Sequence, residues 1–371
     1  MSRALITQSK RVVIKVGSST LTGSAGAQLN DHAVTALVDI VAKLRNQGRE
    51  VVLVSSGAIA AGLAPLGLKT RPKDLATQQA VASVGQGLLM ASYSRAFASH
   101  DLIASQVLLT IDDVVRRSHY QNAQRALFKL LQMGVVPVIN ENDTVAVQEI
   151  RFGDNDRLAA LVSHLIGADL LVLVTDVEGL YDAPPSQAGA TRISEVADIS
   201  QLGDIQIGGV GSSGVGSGGM VSKVVAARIA TGAGVNMLLT TLPTLEEALT
   251  GADVGTIFMS RTDRKPSRLL WLAHAATPHG KLILDTGATT AIKERGTSLL
   301  AAGVVGVEGD FISGDTVELI SPKGEIIARC LVAFDSSEIP SMLGKSTKQL
   351  AQDLGPEYER ELVHRDDLVL L

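Results

Sequence analysis

The chain has 371 residues, 46% hydrophobic and 19% charged, with a formal net charge of −5, which leaves room for two or three domains with large cores and excludes a general polyanion binder. A single cysteine, Cys330, excludes an intrachain disulfide, suits a reducing compartment and lies in an apolar run that points to a buried structural thiol. No apolar run approaches the ~20 residues of a membrane span, and Met1–Lys10 lacks the apolar core of a signal peptide, so a cytoplasmic protein with no membrane partner is expected.

In chain order, residues 11–16 (RVVIKV) have the texture of a buried strand that ends in Gly17-Ser18-Ser19. Residues 31–47 follow a helical period, with Val34, Leu37, Val38, Val41 and Leu44 on one face and Gly48 as the stop. Strand 51–54 runs into Ser55-Ser56-Gly57-Ala58, and a helix-rich stretch continues to about residue 100. Strands are expected at 102–109, 135–139, 170–174 and 236–240, with helices at 118–133 and 221–231. Short apolar runs alternating with amphipathic helices predict an α/β fold, a three-layer αβα sandwich around a mostly parallel sheet. Residues 251–279 have the punctuation of a domain end and linker, with Pro266 and Pro278. From Lys281 the texture changes to short strands at 281–284, 304–307, 316–320, 325–333 and 368–371, a helix at 287–295 and a hairpin turn at Ser321–Gly324. The expected domains are therefore 1–262, a linker 263–280 and a small β-rich domain 281–371.

In a parallel sheet, ligands bind outside the carboxyl ends of the strands. The polar residues there are Lys15, Gly17 and Ser18; Ser55, Ser56 and Gly57; Asn140, Asn142 and Asp143; and Thr175 and Asp176. The segment PVINEND (137–143) and the nearby FGDND (152–156) concentrate carboxylates and carboxamides that are costly to bury without a ligand or partners. The glycine-rich run 207–220 opens into the helix bearing Lys223, so backbone N–H groups, a helix N-terminus and an ammonium converge as a phosphate cradle. Gly214–Gly219 matches GxGxxG formally, but no apolar strand leads into it, which excludes a Rossmann site. Gly344-Lys345-Ser346 imitates the end of a P-loop whose earlier glycine is replaced by Ile339.

Lys15 follows three β-branched residues, and a lysine in a buried strand is expensive unless it is paired, functional or on a sheet edge. Two ammonium groups, a glycine cradle and several Asp and Asn side chains suit phosphoryl transfer, which needs charge neutralisation and alignment. Mg²⁺ is implied by nucleotide phosphates. No histidine stands out as a base, which suits a carboxylate acceptor already ionised at neutral pH.

The segments VVIKVGSSTL (12–21), VLVSSGAIAAG (52–62), VVPVINENDTVAV (135–147), RFGDNDRLAALVS (151–163), LLVLVTDVEGLYDAPP (170–185) and GVGSGGMVSK (214–223) resemble the amino acid kinase family. Within it they are most similar to members that phosphorylate the side-chain carboxylate of glutamate at the start of proline biosynthesis. The tail, with GATTAIKERGTSLL (287–300) and VHRDD (363–367), resembles a PUA domain. The resemblance implies a catalytic, phosphate-contacting role for Lys15 and Lys223. It implies substrate contacts at Ser56, Asp143 and Asn155, with Asn140 and Asp156 beside them. It implies ATP contacts at Lys15, Gly17, Thr175, Asp176, Ser217, Gly218, Gly219, Met220, Val221, Ser222 and Lys223. Arg151 stands where some relatives carry lysine, as a further active-site or regulatory contact. Also implied are ATP and Mg²⁺, inhibition by proline at or next to the glutamate site, and a homo-oligomer, dimer or tetramer.

Acyl-phosphate formation on N-acetylglutamate or aspartate is the alternative within the class; an RNA-binding protein or an amino acid sensor lies outside it. Residues 281–371 carry 9 Lys and Arg against 15 Asp and Glu, a net of −6, which makes the tail a poor reader of a nucleic-acid backbone.

Overall fold

The computed structural model describes residues 2–22, 28–115, 117–145, 154–184, 187, 189–202, 219–260 and 278–371. The chain divides into two compact units, Met1–Lys265 and Pro266–Leu371. The linker expected at 263–280 falls mostly outside the described residues, and Gly280 already belongs to a strand.

The first unit is built on an eight-stranded sheet. Its long strands are β1 (Arg11–Val16), β2 (Glu50–Ser55), β3 (Ala104–Leu109), β4 (Val136–Glu141) and β5 (Leu170–Thr175). After the short β6 (Leu180–Tyr181), β7 (Arg192–Ile193) and β8 (Glu195–Val196) come β9 (Asn236–Thr241) and β10 (Thr256–Phe258). The order is β3-β4-β2-β1-β5-β9-β10-β8, and β6 pairs with β7 separately. Every pairing in the large sheet is parallel except β9 with β10. β10 falls inside the stretch expected to be a domain end and linker: three buried residues are enough for a strand when a neighbour supplies the ladder, but too few to show a period.

Strand alternation sends successive side chains to opposite faces. One face presents Val12, Ile14, Val16, Leu53 and Val172 to Leu37, Val38 and Val41 of helix Asp31–Asn46 and to Leu89, Tyr93 and Phe97 of helix Leu75–Ala98. The other carries Val13, Lys15, Val52 and Leu173, under helix Asp154–Leu165, which packs on β1, β2, β4 and β5. Helix Met220–Gly232 packs beside that helix and on β9. β1 lies in the interior of the sheet between β2 and β5, so Lys15 has no edge from which to reach water. Its alternation phase aims it at the start of helix Asp154–Leu165.

The second unit is a five-stranded sheet of β11 (Gly280–Leu284), β12 (Val304–Gly309), β13 (Thr316–Ile320), β14 (Ile326–Leu331) and β15 (Leu368–Leu370), ordered β12-β11-β13-β14-β15. Its core gathers Leu282, Val317, Leu319, Ala328, Cys330, Phe334 and Leu362, so the single cysteine is a packed thiol whose titration burial pushes far up. The Ser321–Gly324 turn joins β13 and β14, with Gly324 at φ +84°. Helix Thr286–Arg295 starts on an Asp285 cap and ends at Gly296, φ +59°. Helix Thr347–Asp353 was not expected. Ser346, from the P-loop look-alike, is its N-cap, and its hydroxyl and the Gln349 side chain form a reciprocal capping box.

Candidate active site

The carboxyl ends of β1, β2, β4 and β5 and the first turn of helix Asp154–Leu165 assemble two adjoining clusters. The first is charged. Lys15 Nζ lies 2.5 Å from Asp156 Oδ1, and Lys223 Nζ lies 3.6 Å from Asp156 Oδ2. The Ser222 hydroxyl donates to Asp156 Oδ2 at 2.9 Å. All four side chains are buried, Asp156 to 1% exposure. Burial alone would raise the Asp156 carboxyl's pKa, but the Lys15 and Lys223 ammoniums and the Ser222 hydroxyl outweigh it and hold it below the ordinary carboxylate range. Two ammonium groups thus share one ionised carboxylate in a site sheltered from water.

Gly17 lies beside that cluster, and Gly219 opens the helix that carries Ser222 and Lys223. A Cβ on Gly17 would sit 3.7 Å from Lys15 Nζ, an ordinary contact. A Cβ on Gly219, the N-cap of helix Met220–Gly232, would meet nothing within 4 Å. Met220 begins the helix, Val221 is exposed on its first turn, and Ser222 and Lys223 turn inward. At the end of β5, Thr175 Oγ1 donates to Asp176 Oδ1 at 3.0 Å. Ser217, Gly218 and the rest of the glycine run before Gly219 lie outside the described residues, as does Arg151.

The second cluster is neutral. Asn155 Nδ2 donates to Ser56 Oγ at 3.0 Å and to Asn140 Oδ1 at 3.1 Å. Asn140 Oδ1 also accepts from the Glu141 backbone N–H at 2.9 Å, and Asn140 Nδ2 donates to Gln86 Oε1 at 2.8 Å. Ser56 itself is placed by its backbone N–H on Val16 O and by Gly57, whose φ of +107° turns the chain into helix Ala58–Leu63. Beneath it, Ser55 Oγ and the fully buried Tyr93 hydroxyl are 2.9 Å apart. Asp143 lies in the turn after β4, where burial raises its pKa to about 6 against the opposing field of Arg71.

Of the sequence-derived candidates, Lys15, Asp156, Ser222 and Lys223 meet in the charged cluster and Ser56, Asn140 and Asn155 in the neutral one, while Gly17, Thr175 and Asp176 lie at strand ends and Asp143 in the turn after β4. Two neighbours were missed. Gln86 sits mid-helix with no polar cluster around it in sequence, and Arg71 lies in a loop between helices; neither follows a strand. Among the described residues no group of three His, Cys, Asp or Glu side chains could hold a metal ion. Among the same residues no helix is long and apolar enough to cross a membrane.

Comparison with known proteins places this geometry. Residues 10–240 match the model of the amino acid kinase family and residues 280–354 that of the PUA domain. The chain is 57% identical over 370 residues to a glutamate 5-kinase of Streptomyces coelicolor, covering 100% of this chain and 99% of the relative. It is 58% identical over 369 residues to a glutamate 5-kinase of Salinispora arenicola, covering 100% of both. Among solved structures, the carbamate kinase from Giardia lamblia bound to AMP-PNP aligns with a TM-score of 0.50 at 18% identity, over 68% of this chain and 99% of that one, a likeness of fold.

Proposed function

Because the chain belongs to the amino acid kinase family and, within it, to the glutamate 5-kinases, we propose that its two clusters divide one reaction into a phosphate half and an amino acid half. The reaction is the ATP-dependent phosphorylation of the γ-carboxylate of L-glutamate to L-glutamyl 5-phosphate, the first step of proline biosynthesis. A γ-carboxylate oxygen attacks the γ-phosphorus of ATP, the bond to the β-phosphate oxygen breaks, and ADP leaves with that electron pair. The acceptor is already ionised, so no base is required.

The observation that carries the division is the buried Lys15–Asp156–Lys223 triad. Phosphoryl transfer spreads negative charge over the equatorial and leaving oxygens, and preorganised cations in a water-poor site stabilise it without reorganising. Lys15 and Lys223 take that role, and Asp156, braced by Ser222, sets the spacing between them. Gly17, Thr175 and Asp176 line the nucleotide side, with Ser217 to Lys223 as the second nucleotide-binding stretch. On the amino acid side, Ser56 and Asn155 orient glutamate, Asn140 holds Asn155, and an ionised Asp143 takes the α-ammonium by a charge-assisted hydrogen bond.

Magnesium would supply further charge neutralisation on the phosphates. Asp156 is committed to two lysines and a serine, so the ion would be held by the nucleotide and water rather than by a protein cage. Proline, sharing the α-carboxylate and an α-ammonium, would compete at the amino acid half. The protein would work in the cytoplasm as a homo-oligomer, dimer or tetramer, with no RNA partner for its acidic second unit.

A hydroxylamine-trap assay with Mg-ATP and L-glutamate tests this. Wild type is expected to yield glutamyl hydroxamate, and Lys15→Ala to yield almost none. Product with N-acetylglutamate or aspartate in place of glutamate would overturn the substrate assignment. Proline-insensitive wild-type activity would remove the feedback proposal.

A further inference from the structure

The orientation of every amide in the neutral cluster follows from one backbone group. The Glu141 N–H can only donate, so the Asn140 atom facing it is the oxygen. That oxygen also faces Asn155, so Asn155 must present its NH₂ there and to Ser56. The Asn140 NH₂ is left pointing at Gln86, which must answer with its own oxygen. The chain Gln86–Asn140–Asn155–Ser56 therefore has a fixed polarity, and it ends in two buried atoms without partners among the described residues, Gln86 Nε2 and Asn155 Oδ1. A buried acceptor left unpaired is costly, and a substrate ammonium is the kind of group that would satisfy Asn155 Oδ1.

The helix that bears Gln86 also packs closely on its neighbour. Its neighbour Gly85 lies so close to helix Ala58–Leu63 that a Cβ there would fall 1.8 Å from Ala58 O and 2.5 Å from Gly62 N. Gly62 is pressed in the same way onto Val81, 2.1 Å from its O. The two helices are locked backbone to backbone, and the shorter one starts directly after Ser56 and Gly57. The same contact sets both ends of the amide chain.

We propose that Gln86 is a positioning residue for the amino acid acceptor, acting through Asn140 to hold the Asn155 carboxamide in the orientation that receives the α-ammonium. This rests on the reading of Asn155 as a glutamate contact. Gln86 supplies the only non-backbone constraint on the Asn140 NH₂ among the described hydrogen bonds. Without it, Asn140 keeps a buried donor unpaired, and only the Glu141 N–H is left to hold its oxygen toward Asn155.

The test is a double-mutant cycle between Gln86→Met, which keeps the volume and removes both polar atoms, and Asn155→Ala. Gln86→Met alone is expected to raise the KM for glutamate about tenfold, the loss of roughly one hydrogen bond's worth of orientation. The KM for ATP should stay within about twofold of wild type, since the effect runs through the amino acid half alone. In the Asn155→Ala background the same substitution should change the glutamate KM less than about twofold, because the residue it acts through is gone. Additive effects in the cycle, or an unchanged KM in Gln86→Met, would overturn the proposal while leaving the glutamate reading intact. Should Gln86→Met fail to fold by its melting transition, Gln86→Glu, with the same shape and a retained acceptor for Asn140, decides instead: its glutamate KM should stay within about twofold of wild type, and a rise of about tenfold would overturn the proposal. A wild type that phosphorylates aspartate or N-acetylglutamate instead would overturn the parent reading, and the cycle run on that acceptor would still decide for or against Gln86.

Discussion

Asn155 and Asp156 are adjacent on the first turn of one helix, yet they belong to two differently built regions. Asp156 is buried among ammonium groups and a hydroxyl; Asn155 closes a chain of neutral amides and a serine. The difference matches what each side must do. Where charge develops during transfer, fixed charges are worth most, and a buried carboxylate between two lysines keeps them apart and in place. Where a substrate is only held and oriented, amides of fixed polarity discriminate donors from acceptors without adding a field that would compete with the phosphates. One helix start thus couples the two halves of the reaction at a spacing of a single residue.

The charged half should break hardest. Asp156→Asn leaves Lys15 and Lys223 buried against a neutral side chain, and losing one partner of a buried ion pair costs about 3–5 kcal/mol. A fall of that size in the unfolding free energy from urea titration is expected, with activity lost as well. The pH dependence has the matching sign. The Asp156 carboxyl is held below its ordinary value, so its contribution is present above the unfolded carboxylate range and is lost as pH falls through the depressed folded value. Lys15→Met separates chemistry from stability. Asp156 keeps Lys223 and Ser222, so the fold should survive, while kcat falls about 10³-fold, the scale of removing one preorganised donor from a transition state. A Lys15→Met enzyme that lost stability as Asp156→Asn does, but kept its kcat, would make the triad structural and dissolve the contrast.

On the neutral half the sensitive feature is packing. Gly85→Ala would drive a methyl group into Ala58 O and Gly62 N, forcing the helices apart at a cost of about 1–3 kcal/mol. Gly87 is two residues along the same helix, exposed, with nothing near its Cβ position, so Gly87→Ala should instead stabilise by about 0.5–1 kcal/mol through helix propensity. Thermal melts of the pair separate the effects, and a glutamate KM raised only in Gly85→Ala would tie the helix contact to the amide chain.

What the sequence discloses follows the same division. The charged half is legible because each member follows an apolar strand or opens a helix: Lys15 and Gly17 end β1, Asp156 starts one helix and Lys223 another. The parallel sheet then brings them together by rule. The long strands of the first unit and all those of the second fall within a few residues of their expected places for the same reason. Gln86 stays hidden because its partner Asn140 is 54 positions away and its helix shows no clean stripe: Val84 and Leu88 face outward while Val81 and Leu89 are buried. Gly85 and Gly62 read as ordinary helix-weakening residues until the facing backbone is known. β10 is too short for periodicity to register, and the capping box at Ser346 is masked by a lysine and glycine that imitate another motif.

Asp143, in the turn after β4 and in the field of Arg71, brings a carboxylate to the neutral half, and pH is the means of switching it. Burial raises its carboxyl to about 6, above the ordinary value of 3.8. The sign follows from which form the fold favours. The protonated form is the better tolerated one, so this group lowers stability as pH rises through about 6, the reverse of Asp156. Binding has the opposite requirement, because only the ionised carboxylate holds an ammonium by a charge-assisted bond. Glutamate should therefore bind about tenfold more weakly at pH 5 than at pH 7, since roughly one site in ten is then ionised. The KM for ATP, corrected for the titration of the γ-phosphate itself, should change little over the same range. Asp143→Asn should raise the glutamate KM at pH 7 and flatten its pH profile, leaving only the titration of the substrate itself. A steep profile that persists in Asp143→Asn would move the titrating group elsewhere.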